Sequence, residues 1–229
     1  MKGLLSSDNI DIKRCQDLTI KVIGIMLMYS KFSRQTATNF YPSIDVIDSS
    51  GTCLAVGKPL NTDHSNNKKL ISLITKARTK YRKMFLSQFE ATPERTKSWM
   101  NKVANSNDQI FFLLEKDGEF VGHYGLIIRD HNLVEVDNSI LWDENVPKGF
   151  MVHVEHAILN FAFGYLNRTS AIARVLNHNL SCVAMHQKTG FKFHSEEPLK
   201  KKQLKNNDII LQVSNKNQSN QTTTSLLSW

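Results

Sequence analysis

The sequence predicts an α/β fold in which a mixed sheet is flanked by helices. Three observations predict it. Two stretches between Lys68 and Ala104 carry apolar residues at helical spacing, two apolar runs meet at the hairpin signal Lys116-Asp117-Gly118, and strand-like and helix-like segments then alternate from Leu133 to Val213. With 229 residues, 41% of them apolar and 22% charged, the chain is long enough for one sizeable core.

The first fifty residues resist assignment. The run "DLTIKVIGIMLMYSKF" suits a strand or a short helix, because a brief apolar stretch fits both periods. "YPSIDVIDSSGTCLAVGKPL" sets β-branched residues on either side of Ser49-Ser50-Gly51, which predicts a hairpin within an N-terminal extension of residues 1–67. From Lys68 onward Leu70, Leu73, Ile74, Ala77, Tyr81, Met84 and Phe85 recur at helical spacing, predicting an amphipathic helix of about four to five turns. Thr92 caps a second helix, with Pro93 in the first position, where its missing N–H costs nothing.

After that helix ends near Ala104, "QIFFLLEKDGEFVGHYGLIIRD" reads as two hairpin strands. "LVEVDNSILW" alternates Val134, Val136 and Ile140 with Glu135, Asp137 and Ser139, so its polar set should share one face. In "FMVHVEHAILNFAFGYL", Met151, Val154, Ile158, Phe161 and Tyr165 mark a helical face. "TSAIARVLN" is a strand, "NLSCVAMHQKT" a short helix ending at Gly190, and "FKF" and "DIILQV" two last strands separated by a lysine-rich turn. A domain over residues 68–213 follows. The tail 214–229, "SNKNQSNQTTTSLLSW", is polar and low in complexity; disorder is expected there unless Leu226, Leu227 and Trp229 dock.

A net charge of +8 suggests a polyanionic ligand, with clusters at Lys76 to Lys83 and Lys200 to Lys205. No zinc-finger spacing, RNP-like signature or arginine-rich tract accompanies it, which argues against nucleic acid and for a phosphate-bearing small molecule. The three cysteines, Cys15, Cys53 and Cys182, are odd in number and far apart, so neither a disulfide framework nor a thiolate metal site is expected. The apolar run Val22 to Tyr29 is too short for a bilayer and no signal peptide precedes it, so a cytoplasmic location without a membrane span is the expectation. The oligomeric state stays open, a homodimer being among the assemblies considered.

No nucleophile elbow, P-loop, GxGxxG or HExxH occurs, which removes the most readable enzyme classes. His153 and His156 flank Glu155, but a helix's polar face explains them better than a metal, and no metal site is expected. The loop "NVPKGFM" puts Lys148 and Gly149 at a helix N-terminus, whose free N–H groups suit an anion; a plain tight turn explains it equally well.

The order of elements, together with "NHNLSCVAMHQKTGF", resembles the GNAT superfamily of acyl-CoA-dependent N-acyltransferases over roughly residues 68–213. Asn179, Lys188, Gly190 and Phe191 match the family's Asn-x-x-Ser/Ala followed by Lys-x-Gly-Phe, with Cys182 at the small-residue position. The resemblance implies a mostly antiparallel central sheet whose fourth and fifth strands splay around the pantetheine arm of an acyl-CoA, acetyl or longer. It implies a pyrophosphate on the backbone of Lys148, Gly149, Phe150 and Met151, although the family's Arg/Gln-x-x-Gly-x-Gly/Ala is only half kept, Val146 and Met151 replacing its first and last members. Asn179 and Cys182 then lie beside the pantetheine.

Acyl transfer to an amine by direct attack needs a base for the nucleophile and an acid for the leaving thiolate. Asp137 and Glu135 share the strand face that carries the base in family members, with Asp137 nearer the splayed end. His186 stands where the family places a tyrosine acid, and an imidazolium can serve the same end. Arg78, Tyr81, Arg82, Phe85, Trp99 and Asn138 are the candidate acceptor contacts. Their basic and aromatic character suits a nucleotide-linked amino sugar, and the likeness is nearest to bacterial amino-sugar acyltransferases of surface-polysaccharide biosynthesis. Acetylation of a protein N-terminus or of another small amine is the alternative within the family, and a catalytically silent GNAT-like binding module is the alternative outside enzymology.

Overall fold

β-Branched residues begin the architecture: β1 (Ile44–Ile47) and β2 (Cys53–Pro59) pair antiparallel, and between them Oδ1 of Asp48 accepts hydrogen bonds from the N–H groups of Ser50 and Thr52. The computed structural model describes residues 41–204, 208–214 and 223–229; Cys15, the run at 17–32 and residues 214–222 apart from Ser214 lie outside them. β2 also pairs with β4 (Gln109–Lys116). The hairpin is therefore an edge of the central sheet and not an appendage to a domain beginning at Lys68.

Helix α1 (Lys68–Lys80) starts where Asn67 accepts from the Leu70 N–H, and it buries Leu70, Ile71, Ile74 and Ala77. It is shorter than its apolar spacing predicts. Past Tyr81 the chain makes one tight turn, Arg82–Met84, and reverses: the Arg78 guanidinium lies 3.5 Å from the centre of the Phe85 ring and donates to the Ser87 carbonyl, folding the segment back on the helix. β3 (Ser87–Gln88) follows, then α2 (Pro93–Ala104), capped by Thr92 as its sequence requires. α1 and α2 cover one face of the sheet through Ile71, Ile74, Met100 and Val103 against Phe111 and Leu113.

β4 and β5 (Glu119–Ile128) form the expected hairpin, its turn residues Asp117 and Gly118 both at positive φ. β6 (Leu133–Leu141) pairs with β5, then α3 (Phe150–Asn160) continues through a wider turn at Phe161–Tyr165 to β7 (Ser170–Leu176). α4 (Leu180–Lys188), β8 (Lys192–Gln203), β9 (Ile209–Val213) and β10 (Thr223–Ser228) complete the chain. The strand order is β1-β2-β4-β5-β6-β7-β10-β8-β9-β3, and among the described strands only β6 and β7 run parallel. Val154, Ile158 and Leu159 of α3 pack on the second face, against Phe112, Tyr124, Leu126 and Val134.

Two expectations need correction here. β8 runs on through Lys200–Lys202 where a lysine-rich turn was expected, because those residues pair with Ile210–Gln212 of β9. The end of the tail is ordered: β10 inserts between β7 and β8, Leu227 is fully buried, and Trp229 donates through Nε1 to the Thr189 carbonyl. Polar composition misleads at this point because a central strand buries polar residues whose hydrogen bonds are met within the protein: Leu227 reaches the core, Thr224 donates to the Val175 carbonyl and Ser225 to the Asn177 side chain.

Candidate active site

β6 and β7 pair only from Leu133–Ser170 to Val136–Ala173, although β6 continues to Leu141 and β7 to Leu176. At Asn138, with φ 52, β6 carries one extra residue: His123 faces Ile140 while Gly125 faces Asp137. This bulge bends β6 away from β7. It also breaks the expected alternation, since Leu141 rather than Ile140 packs with Val134 and Val136 on the α3 face. Where the strands part, a cleft of about 810 Å³ opens between β6, β7, the start of α3 and α4.

One end of the cleft is built for an anion. Gly149 precedes α3 in the left-handed region, φ 83, which a side chain would strain. No acidic residue occupies the first turn of α3, so the positive end of the helix is uncompensated. The Phe150 N–H is taken by the Pro147 carbonyl and that of Val152 by Gly149, leaving Lys148, Gly149 and Met151 to supply the backbone donors. Phe150 contributes no N–H, and its buried side chain lies at the inner wall of the cleft. A pyrophosphate suits this terminus, and a pantetheine arm suits the unpaired edges of β6 and β7.

Asp137 opens into the cleft, and enclosure by protein raises its carboxyl above the usual carboxylate range, with the charge of Glu135 adding to the effect. Glu135 itself is 4% exposed and held by Arg129 at 2.5 Å and Arg174 at 2.9 Å. Its carboxylate is committed to these arginines and does not line the cleft, so it is no longer a candidate base. Among the described residues no group of three or more His, Cys, Asp or Glu side chains is gathered as a metal site.

His186 lies at the centre of a buried network. Its Nδ1 is 2.5 Å from Oε1 of Glu155, its Nε2 is 3.4 Å from Sγ of Cys182, and Tyr124 and Thr189 each donate to Glu155 at 2.6 Å. Burial opposes a charge on the ring, but hydrogen bonds to Cys182 and Glu155 outweigh it and raise the imidazole to about 9. The Tyr124 hydroxyl is driven well above its usual range, first by burial and then by the Glu155 charge. A proton on His186 thus lies at the same cleft wall as Asn179, whose side chain caps α4 by accepting from the Cys182 N–H, while Glu155 is fully buried behind it.

The splayed strands, the helix terminus and α4 make a test of the sequence resemblance. Residues 67–192, more than half of the chain, match the family model described as an acetyltransferase (GNAT) domain. The chain belongs to the GNAT family. No curated protein matches the sequence significantly. Among solved structures, the fold is similar to Campylobacter jejuni N-acetyltransferase PseH bound to acetyl coenzyme A, at 16% identity, TM-score 0.52, covering 77% of this chain and 98% of that one. It is also similar to the microcin C7 self-immunity acetyltransferase MccE in complex with acetyl-CoA and AMP, at 13% identity and TM-score 0.59, covering 76% and 91% of the two chains. A Salmonella typhimurium acetyl transferase that modifies the N-terminal serine of a ribosomal protein shares 9% identity at TM-score 0.62, covering 82% and 98%. This GNAT domain is an acyl-CoA-dependent acetyltransferase, and its sheet is the mixed, mostly antiparallel one the family requires.

The GNAT cleft collects some of the sequence candidates and rejects others. Asp137, Asn138, His186, Lys148, Gly149, Met151, Asn179, Cys182, Tyr81 and Phe85 line it. Three acceptor candidates are placed elsewhere. Trp99 is half-buried against the core, packed edge-on to Phe111; Arg78 is buried beneath Phe85; and Arg82 donates to the Gln88 carbonyl. Sequence reasoning missed Tyr124, Glu155 and Arg174. Glu155 had a signal: four residues after Met151 and three before Ile158, it puts a carboxylate on the apolar stripe of the helix, where a charge needs a partner.

Proposed function

We propose that this GNAT enzyme transfers an acyl group from acyl-CoA to the primary amine of a nucleotide-linked amino sugar, in the cytoplasm. The observation that carries the reading is the sharing of one cleft by Asp137, the aromatic side chains of Tyr81 and Phe85, and the cations Lys148 and Arg174. The aromatics supply faces for a base or sugar, Lys148 suits a diphosphate, Arg174 being already held by Glu135 and Glu197, and the carboxylate is placed to take the proton of an attacking amine. His186 supplies the proton for the departing CoA thiolate. MccE, captured with acetyl-CoA and AMP, supports a nucleotide beside the acyl donor on this fold.

The test is a CoA-release assay across nucleotide-linked amino sugars, the corresponding free amino sugars, polyamines and peptides with a free N-terminus. Turnover should require the nucleotide. Equal turnover with the free sugars would remove the nucleotide from the reading, and turnover with peptides alone would replace it by protein N-terminal acetylation, the activity named for the Salmonella neighbour.

A further inference from the structure

We propose that the proton given to the departing CoA thiolate passes through Cys182, whose thiol relays it from His186, while the acyl group goes directly to the amine. The relay rests on the reading of His186 as the acid and deepens it.

The ring of His186 turns no uncommitted nitrogen toward the cleft. Its Nδ1 is 2.5 Å from Oε1 of Glu155, and its Nε2 is 3.4 Å from Sγ of Cys182, one turn back on the same face of α4. Glu155 is fully buried, and among the described residues its ion-pair partner is His186. The charged ring therefore donates one N–H to that carboxylate and the other to the sulfur. Tyr124 of β5 donates to Oε1 of Glu155 and Thr189 to Oε2, so the direction of the ring is set from outside α4.

His186 is 4% exposed, whereas Cys182 is half-buried and lines the cleft, so the sulfur is the more open end of the pair. Sγ accepts from Nε2 and keeps its own S–H for the cleft. A thiol suits the part: cysteine titrates near ~8.5 and His186 holds its proton to about 9, so neither transfer toward another thiolate is steeply uphill.

The steps balance without another reactant. The amine nitrogen bonds to the thioester carbonyl carbon and gives its proton to Asp137, and the bond from that carbon to the CoA sulfur breaks, its electron pair staying on sulfur. The CoA thiolate takes the Sγ proton of Cys182 as Sγ takes the Nε2 proton of His186. Asp137 then releases its proton to solvent, and His186 takes one back. No bond forms between Cys182 and the acyl carbon.

The experiment compares wild type, Cys182→Ala, Cys182→Val, Cys182→Ser and His186→Phe, with acetyl-CoA as donor and the fastest amine of the panel above as acceptor. Cys182→Val fills the position without a proton; its kcat should fall at least about tenfold, with acetyl-CoA affinity by calorimetry and circular dichroism unchanged. Cys182→Ser should recover part of the loss, because a hydroxyl also carries a proton. The deficit of Cys182→Val should shrink with the acetyl thioester of an aromatic thiol, whose thiolate leaves without a proton. Wild-type kcat in both Cys182→Ala and Cys182→Val overturns the relay: a slow His186→Phe would then leave the acid reading standing, and a fast one would remove both. A deficit as large with the aromatic thioester as with acetyl-CoA also overturns the relay, because it marks a packing defect.

Discussion

His186 Nδ1 and Glu155 Oε1 lie 2.5 Å apart, and neither side chain is more than 5% exposed. The proton on that imidazole is held more tightly in the folded protein, at about 9, than in an unfolded chain, where histidine titrates near ~6.5. The pair therefore contributes stability that is fully present below pH ~6.5 and is lost as pH rises to about 9, on the order of 3 kcal/mol in all. Urea unfolding at successive pH values should show wild-type stability falling across that window, and His186→Phe should remove that part of the slope. Identical slopes in the two proteins would show that the pair does not hold the proton.

Asp137 and Glu135 share a strand but not a role. Asp137→Asn should leave acyl-CoA affinity intact while turnover falls at least about tenfold, the contribution of a positioned base. Because the protein around the cleft raises the Asp137 carboxyl, although the side chain itself is open to solvent there, the acid limb of the wild-type rate profile should lie above the usual carboxylate range, the rate rising with pH as the group ionises. Glu135→Gln acts differently: it removes the buried counter-charge of Arg129 and one of the two carboxylates held by Arg174, the other being Glu197, so melting temperature should fall, and loss of the Glu135 charge shifts the acid limb toward lower pH without abolishing turnover. Rate–pH profiles of the two variants decide the matter. An unchanged rate in Asp137→Asn would remove that residue from the mechanism.

What could be read from the sequence is what local chemistry settles. Asp117-Gly118 accepts positive φ at both positions, and Thr92-Pro93 satisfies a helix start, so the hairpin and α2 stand where their residues put them. The Lys-x-Gly-Phe stretch after α4 was legible through its family resemblance, and Lys188, Asn179, Cys182 and His186 line one wall of the cleft. Glu155 was not, because whether a carboxylate on an apolar stripe is buried depends on Tyr124 and Thr189, 31 and 34 residues away. The bulge at Asn138 escaped as well. Strict alternation assumes an unbroken ladder, and one inserted residue sends Ile140 and Leu141 to the faces opposite those predicted. Trp99 and Arg78 were misjudged on composition, since aromatic and cationic residues at helical spacing serve a core as well as a ligand.

The last strand gives a test of the same kind. β10 hydrogen-bonds to β7 and β8 at once, so the sheet beyond the cleft depends on a segment whose composition reads as linker. Leu227 is fully buried, and Leu227→Ala should cost about 2–5 kcal/mol by the usual penalty for emptying a core position. Trp229 packs at a tilt on Phe163 at 4.7 Å between ring centres and lies against Gly190, where an added Cβ would meet its Nε1 at 3.0 Å and where φ is 103. Gly190→Ala should therefore destabilise through backbone strain even in a Trp229→Ala background, which relieves the contact but not the dihedral. Chemical denaturation of the two single variants and the double separates these contributions. If Trp229→Ala fully rescues Gly190→Ala, the clash and not the left-handed backbone is what glycine serves at this helix end.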